Sequence, residues 1–163
     1  MERSMPEQLA EQDKIWKAVE GFTSCMLVTR SGEELRSRPM GPIVRARDGV
    51  IYFITDRRGF KDEEIAADAA VCLAFSSGNV QVSLSGSAHL VEDKALVKAL
   101  WSPMAQAFFP NGADDPNVTV IAVAPRHGEM WEGQNMVTTM FKVAAAIATG
   151  NRAEIGQSTR AEL

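Results

Sequence analysis

Polar and apolar positions in this chain alternate over short stretches more often than they recur at helical spacing. The runs 25–29, 50–54, 70–76 and 118–123 are rich in β-branched, aromatic and other apolar residues, which predicts strands. Residues 81–91 set Gln81, Ser83, Ser85 and Ser87 against Val82, Leu84, Gly86 and Ala88, a strand with one polar face. Ser31-Gly32 is a turn signal, so 35–44 is read as the return strand of a hairpin, with Arg36, Arg38 and Met40 at period two on one face. Pro125 to Gly128 breaks the strand begun at Val118, and Glu129-Met130-Trp131 resumes it. Helical spacing is confined to four places. Residues 7–20 carry Leu9, Ile15, Trp16 and Val19 and stop near Gly21; residues 62–68 form a short helix; 92–109 is helical with a kink or end at Pro103; and 135–149 is Ala-rich. About six or seven short strands at close spacing, with three or so helices, predict a mainly β (α+β) domain built as an antiparallel barrel or sandwich. The domain is expected over residues 1–150, with 151–163 as a loose polar tail.

The stretch 49–66 joins the two kinds of pattern. An apolar strand runs out at Thr55-Asp56 into Arg57, Arg58 and Lys61, and an acidic helix follows. A basic turn leading into a helix start is one way to hold an anion, because outward-pointing N–H groups and cations reinforce each other. The same stretch also reads as a solvated basic turn capped by Asp56, and the pattern alone leaves both readings open.

Composition narrows the function classes. Apolar content of 45%, charged content of 23% and a net charge of −4 describe an ordinary soluble globular chain and argue against general nucleic-acid binding. No apolar run approaches the roughly 20 residues that span a bilayer. The polar N-terminus does not read as a secretory signal, and Cys25 and Cys72 sit in apolar strands as buried free thiols, so a cytoplasmic location is expected. His89 and His127 have no cysteine or carboxylate at ligand spacing, so no metal site is expected. Nucleophile elbows, phosphate loops and dinucleotide fingerprints are missing from the sequence, and no catalytic residue stands out. Any redox chemistry would have to come from a cofactor.

The remaining candidates are Arg36-Ser37-Arg38-Pro39-Met40, Phe53-Ile54-Thr55 with Lys61 six residues past the threonine, Gln81 five residues before Gly86, and Trp131 within Glu129–Gly133. In order and spacing these resemble the flavin-binding split barrels related to pyridoxamine 5'-phosphate oxidase. The run Trp101-Ser102-Pro103, Phe109-Pro110-Asn111-Gly112, Asp114-Asp115-Pro116 narrows the resemblance to the general-stress-protein branch, and the likeness covers roughly residues 9–163. It implies a split barrel that binds FMN. Arg38 and Lys61 would hold the phosphate, with Arg36 and Ser37 nearby. Pro39 belongs to the same motif, and Met40 would run beside the isoalloxazine. Phe53, Ile54 and Thr55 would line ribityl and ring, Gln81 would contact the flavin, and Trp131 would close the site from the partner subunit of a homodimer.

The implied activity is that of a flavin-dependent oxidoreductase or flavin reductase with a stress-related role, taking electrons from nicotinamide or another small redox donor. A non-catalytic flavin-binding or sensor module and a deazaflavin-binding reductase remain open beside it. The sequence departs from true oxidases: their first motif has a lysine five residues after its arginine, and here that position is Ile43. Their C-terminal arginine-and-histidine substrate segment also has no counterpart in 150–163. Oxidation of pyridoxamine 5'-phosphate is therefore not expected.

Overall fold

The structure is a computed structural model that describes residues 4–133, 136–154 and 156–163, with backbone alone at 60, 61, 136 and 137. Its elements are α1 (Met5–Glu20), β1 (Cys25–Ser31), β2 (Glu34–Met40), β3 (Ile43–Arg45), a 3-10 turn (Ala46–Asp48), β4 (Val50–Asp56), α2 (Phe60–Ala67), β5 (Ala70–Ser77), β6 (Val80–Val91), α3 (Lys94–Leu100), α4 (Pro103–Phe108), β7 (Val118–Glu132), α5 (Met136–Thr149) and β8 (Gln157–Glu162). All strand pairs are antiparallel, in the order β2-β1-β5-β6-β7-β4-β3, with β8 added to β7. The two end strands, β2 and β3, are consecutive in the chain and separated only by Gly41-Pro42. The sheet therefore curls until its edges meet at that link, which is the split barrel the family resemblance implies.

Alternation decides what lies inside. Leu27, Ile51, Phe53, Leu73, Phe75, Val82, Leu84, Ile121, Val123 and Met130 form the interior, and Ile15 and Val19 of α1 pack into it. Each such side chain, fully buried, stabilises the fold by about 1.5–3 kcal/mol. β4 is apolar on both faces because Tyr52 and Ile54 lie on its other side, against a second cluster built from Val97 and Leu100 of α3 with Val118 and Val120. That is why 50–54 reads as an unbroken apolar run.

Four expectations change in detail. The helix read over 92–109 is two helices. Ser102 caps the second by accepting from the Ala105 N–H at 3.1 Å, and Pro103 sits in the first turn, where its missing N–H costs nothing. The strand read as broken at Pro125 is one strand with a bulge: Ser85 pairs with His127 and Gly86 with Pro125, so Arg126 is the extra residue. A Cβ on Gly86 would stand 2.1 Å from the Ala124 carbonyl oxygen, so the bulge requires glycine opposite it. The strand read over 35–44 is divided at Gly41-Pro42 into β2 and β3. The polar C-terminal stretch supplies an eighth strand: Gln157–Glu162 pair with 127–132 of β7. Its sequence alternates polar outward residues with Thr159, Ala161 and Leu163, a pattern too weakly apolar to read as a strand on its own.

Candidate functional site

The hairpin register fixes the first group of candidates. Arg36 pairs with Thr29 and Arg38 with Leu27, so both arginines share the inner face of β2 with the buried residues of β1. Helix α2 lies over that corner and brings Glu64, 6% exposed, against them. Arg38 Nη2 donates to Glu64 Oε2 at 2.7 Å, and Arg38 Nη1 donates to Thr29 Oγ1 and, at 3.5 Å, to the Leu27 carbonyl. The Thr29 hydroxyl donates to the same Oε2. Arg36 Nη1 stands 3.5 Å from Glu64 Oε1. Burial pushes the Glu64 carboxyl up, but the bonds from Thr29 and Arg38 and the charges of Arg38 and Arg36 prevail and hold it below its ordinary value.

Two arginines face one carboxylate at this corner, and the first turn of α2 holds Lys61 together with Asp62 and Glu63, so cations and carboxylates balance in number. The Lys61 side chain lies outside the described residues. Three of the five N–H groups of Arg38 are engaged, two on Nη1 and one on Nη2, which leaves the edge formed by Nε and Nη2. Arg36 is half exposed, with one long ion pair. Both therefore keep donors for an outside anion. The other two cations of the basic turn are occupied. Arg57 pairs with Glu92 at 3.1 Å, and Arg58 pairs with Asp56, which also caps the turn by accepting from the Arg58 N–H at 2.8 Å. For those two residues the solvated, capped turn is the correct description.

The second group lies on the opposite, outer face of the sheet. Ser37 and Pro39 pair with Val28 and Met26, Gln81 pairs with Trp131, and Trp131 is 39% exposed. Between them the face carries Met26 and Val28 and then Cys72 and Ser83, with Cys72 Sγ 3.5 Å from Ser83 Oγ. Toward β8 it forms a cleft of about 480 Å³ whose lining includes Ser83, Ser85, Glu129 and Arg160. His127 pairs with Glu162 there at 2.6 Å, a surface role, and no cluster of metal-ligating side chains occurs among the described residues.

One chain thus brings Arg36 and Arg38 together at the rim, with Met40 partly buried beside the core. It separates them from Gln81 and Trp131, which lie on the other face three and four strands away. Phe53 and Thr55 are 0% and 2% exposed and Ile54 packs in the second cluster; these are core side chains that offer a ligand little surface. Sequence reading missed Glu64 and Thr29. The available signal was a carboxylate on the same short helix as Lys61, three residues on, in a fold that places this helix over two arginines. The Asp114-Asp115 run shapes its own loop, with Asp115 accepting from the Asn117 N–H at 2.9 Å, and Trp101 lies tilted against Phe109 at 6.3 Å between ring centroids.

The fold is a split barrel with a pair of arginines at one corner of its rim. Residues 10–154 match the family described as "Pyridoxamine 5'-phosphate oxidase like", and the chain belongs to that family. Several of the solved structures it resembles are described as general stress proteins. A general stress FMN/FAD binding protein from Xanthomonas citri is 29% identical, with a TM-score of 0.69 over 78% of this chain and 92% of that one. A candidate general stress protein 26 from Jannaschia sp. CCS1 shares the fold with a TM-score of 0.73 at 23% identity, covering 96% of this chain and 99% of that one. Protein bli-3 of Neurospora crassa is 26% identical over 145 residues, which are 81% of this chain and 64% of that protein, so the chain spans under two thirds of the length of this curated relative. Among the described residues, no helix is long and apolar enough to cross a membrane.

Proposed function

We propose that this protein binds FMN, in a homodimer with two equivalent sites, and serves as a flavin-dependent oxidoreductase or flavin reductase. The observation that carries this reading is the arginine corner. It keeps unspent guanidinium donors on a rim that is dry on one side, which suits a phosphate monoester. Arg36 and Arg38 would take the phosphate together with Lys61. Ser37, Pro39 and Met40 would flank the tail, and Gln81 from a second copy, on the same face as its Trp131, would offer an amide able to donate and accept at the ring edge. The bound flavin would supply the electron transfer. The flavin-binding relative from Xanthomonas citri supports the ligand class.

Geometry supports the proposed dimer. The barrel interior is filled by side chains, so a flat ring must lie outside it, and Trp131 can meet the arginine corner only from another copy because the two occupy opposite faces of one sheet. Met140, Phe141 and Ile147 of α5 are 66%, 72% and 78% exposed, an apolar surface that a second copy would cover. The test is the visible absorption spectrum of purified, FMN-saturated protein before and after anaerobic mixing with NADH or NADPH, with its mass measured by light scattering. A bound-flavin spectrum that bleaches on reduction, in a dimer, is expected. A monomer that binds FMN tightly overturns the shared site, and a flavin that neither donor bleaches overturns the proposed nicotinamide-linked reaction.

A further inference from the structure

Glu64 is buried, charged and placed where the family resemblance assigns nothing. The geometry points to Glu64 as a positioning residue: with Thr29 it clamps the Nη1–Nη2 edge of the Arg38 guanidinium so that the Nε–Nη2 edge is presented to the phosphate of the ligand. This inference rests on the FMN reading above.

An arginine at a barrel rim has a long side chain and many rotamers, and ordering it on binding would cost affinity. Here the ordering is done beforehand. Glu64 Oε2 accepts from both Arg38 Nη2 and Thr29 Oγ1, while Thr29 Oγ1 also accepts from Arg38 Nη1. The three groups close a ring of charge-assisted bonds around one edge of a planar fork. Glu64 comes from α2, the helix that carries Lys61, and Arg38 comes from β2, so the clamp also fixes the distance between the two cation-bearing elements. Its second oxygen faces Arg36 at 3.5 Å and draws that arginine toward the same corner without tying it down.

A carboxylate here could instead act only by neutralising charge, and the two roles predict opposite results. If Glu64 only neutralises, removing it leaves more positive charge and FMN binds more tightly. If it positions Arg38, removing it frees the arginine and FMN binds less tightly. Because one oxygen accepts both bonds, the amide oxygen of glutamine can replace it.

The experiment is a fluorescence titration of FMN and riboflavin against wild type, Glu64→Ala and Glu64→Gln. We expect Glu64→Ala to weaken FMN about tenfold, the scale of one charge-assisted contact, with riboflavin unchanged. Glu64→Gln is expected to keep FMN affinity at or above that of wild type. FMN binding at or above wild-type strength in Glu64→Ala overturns the positioning role, as does an equal loss for FMN and riboflavin. If Glu64→Ala does not fold, Thr29→Val carries the test, since it removes the bridging hydroxyl while keeping the shape; selective loss of FMN is expected, and no loss overturns the proposal. A wild-type chain that binds FMN no better than riboflavin overturns the phosphate reading itself, and this inference with it. Wild-type discrimination that survives in Glu64→Ala overturns this inference alone.

Discussion

Replacing Arg38 with Ala should destabilise the ligand-free protein by an amount that depends on pH in a defined direction. The substitution leaves Glu64, 6% exposed, without its 2.7 Å partner. Breaking a buried pair by removing one member costs about 3–5 kcal/mol, because a charge is left buried. Two features put Arg38→Ala at the lower end: Arg38 is itself 23% exposed, and Arg36 still stands 3.5 Å from the other carboxylate oxygen. About 3 kcal/mol is therefore expected at pH 7, a loss of roughly 6–12 °C in Tm for a chain of this size. In the wild type the folded-state pKa of Glu64 lies below its ordinary value of 4.5, so its stabilisation is full above that value and is lost as pH falls through the lower folded-state pKa. In the variant, burial acts with less opposition and raises the folded-state pKa, so protonation relieves the strain as pH falls. The gap between the two proteins must then narrow on acidification. Urea unfolding of both at fixed protein concentration, at pH 7 and near pH 4, checks this. A gap of equal size at both pH values, or none at pH 7, would refute the account of this corner.

Gly86→Ala should cost about 4 kcal/mol or more, at the severe end for point substitutions, because its Cβ meets the backbone of the β7 bulge and not a yielding side chain; an unfolding curve within about 1 kcal/mol of wild type would show that the bulge can shift. A thiol reagent at pH 8 should label one cysteine in the native protein and two after denaturation, because burial pushes the Cys25 thiol up to about 12 while Cys72 is half-buried on the outer face. Rapid native labelling of Cys25, located by mass spectrometry, would mean that the barrel opens there. Pyridoxamine 5'-phosphate should not be oxidised at the ordinary enzyme rate of about 1 per second or more, since a second phosphate finds Ile43 where true oxidases carry a lysine; peroxide release at that rate under air would show that other cations replace it.

Much of the fold was legible because alternation is a local property. The two-faced apolar run of β4, the polar outer face of β6 and the hairpin at Ser31-Gly32 each lie within a dozen residues, and each fixes which side chains point inward. Pro125 misled the reading, since a proline usually ends a central strand and the bulge that accommodates it depends on a glycine forty residues earlier in the chain. β8 was hidden because it pairs only along one edge and carries few apolar residues. At the site, period two placed Arg36 and Arg38 on one face. That their face is the inner one, and that a buried carboxylate from α2 meets them, depends on how the helix packs over β1, which no local pattern records. The same tertiary fact separates the arginines from Gln81 and Trp131 and makes a second copy necessary to the proposed site.

The central claim is that this rim recognises the phosphate of a flavin mononucleotide. Titrating wild-type protein with FMN and with riboflavin under the same salt conditions tests it most directly, because the two ligands share the ring and ribityl chain and differ in the phosphate. Two or more charge-assisted bonds at about 1.5–3 kcal/mol each predict that FMN binds at least about a hundredfold more tightly, and that Arg36→Ala and Lys61→Ala each narrow the ratio. Equal affinity for the two ligands in the wild type would contradict the account.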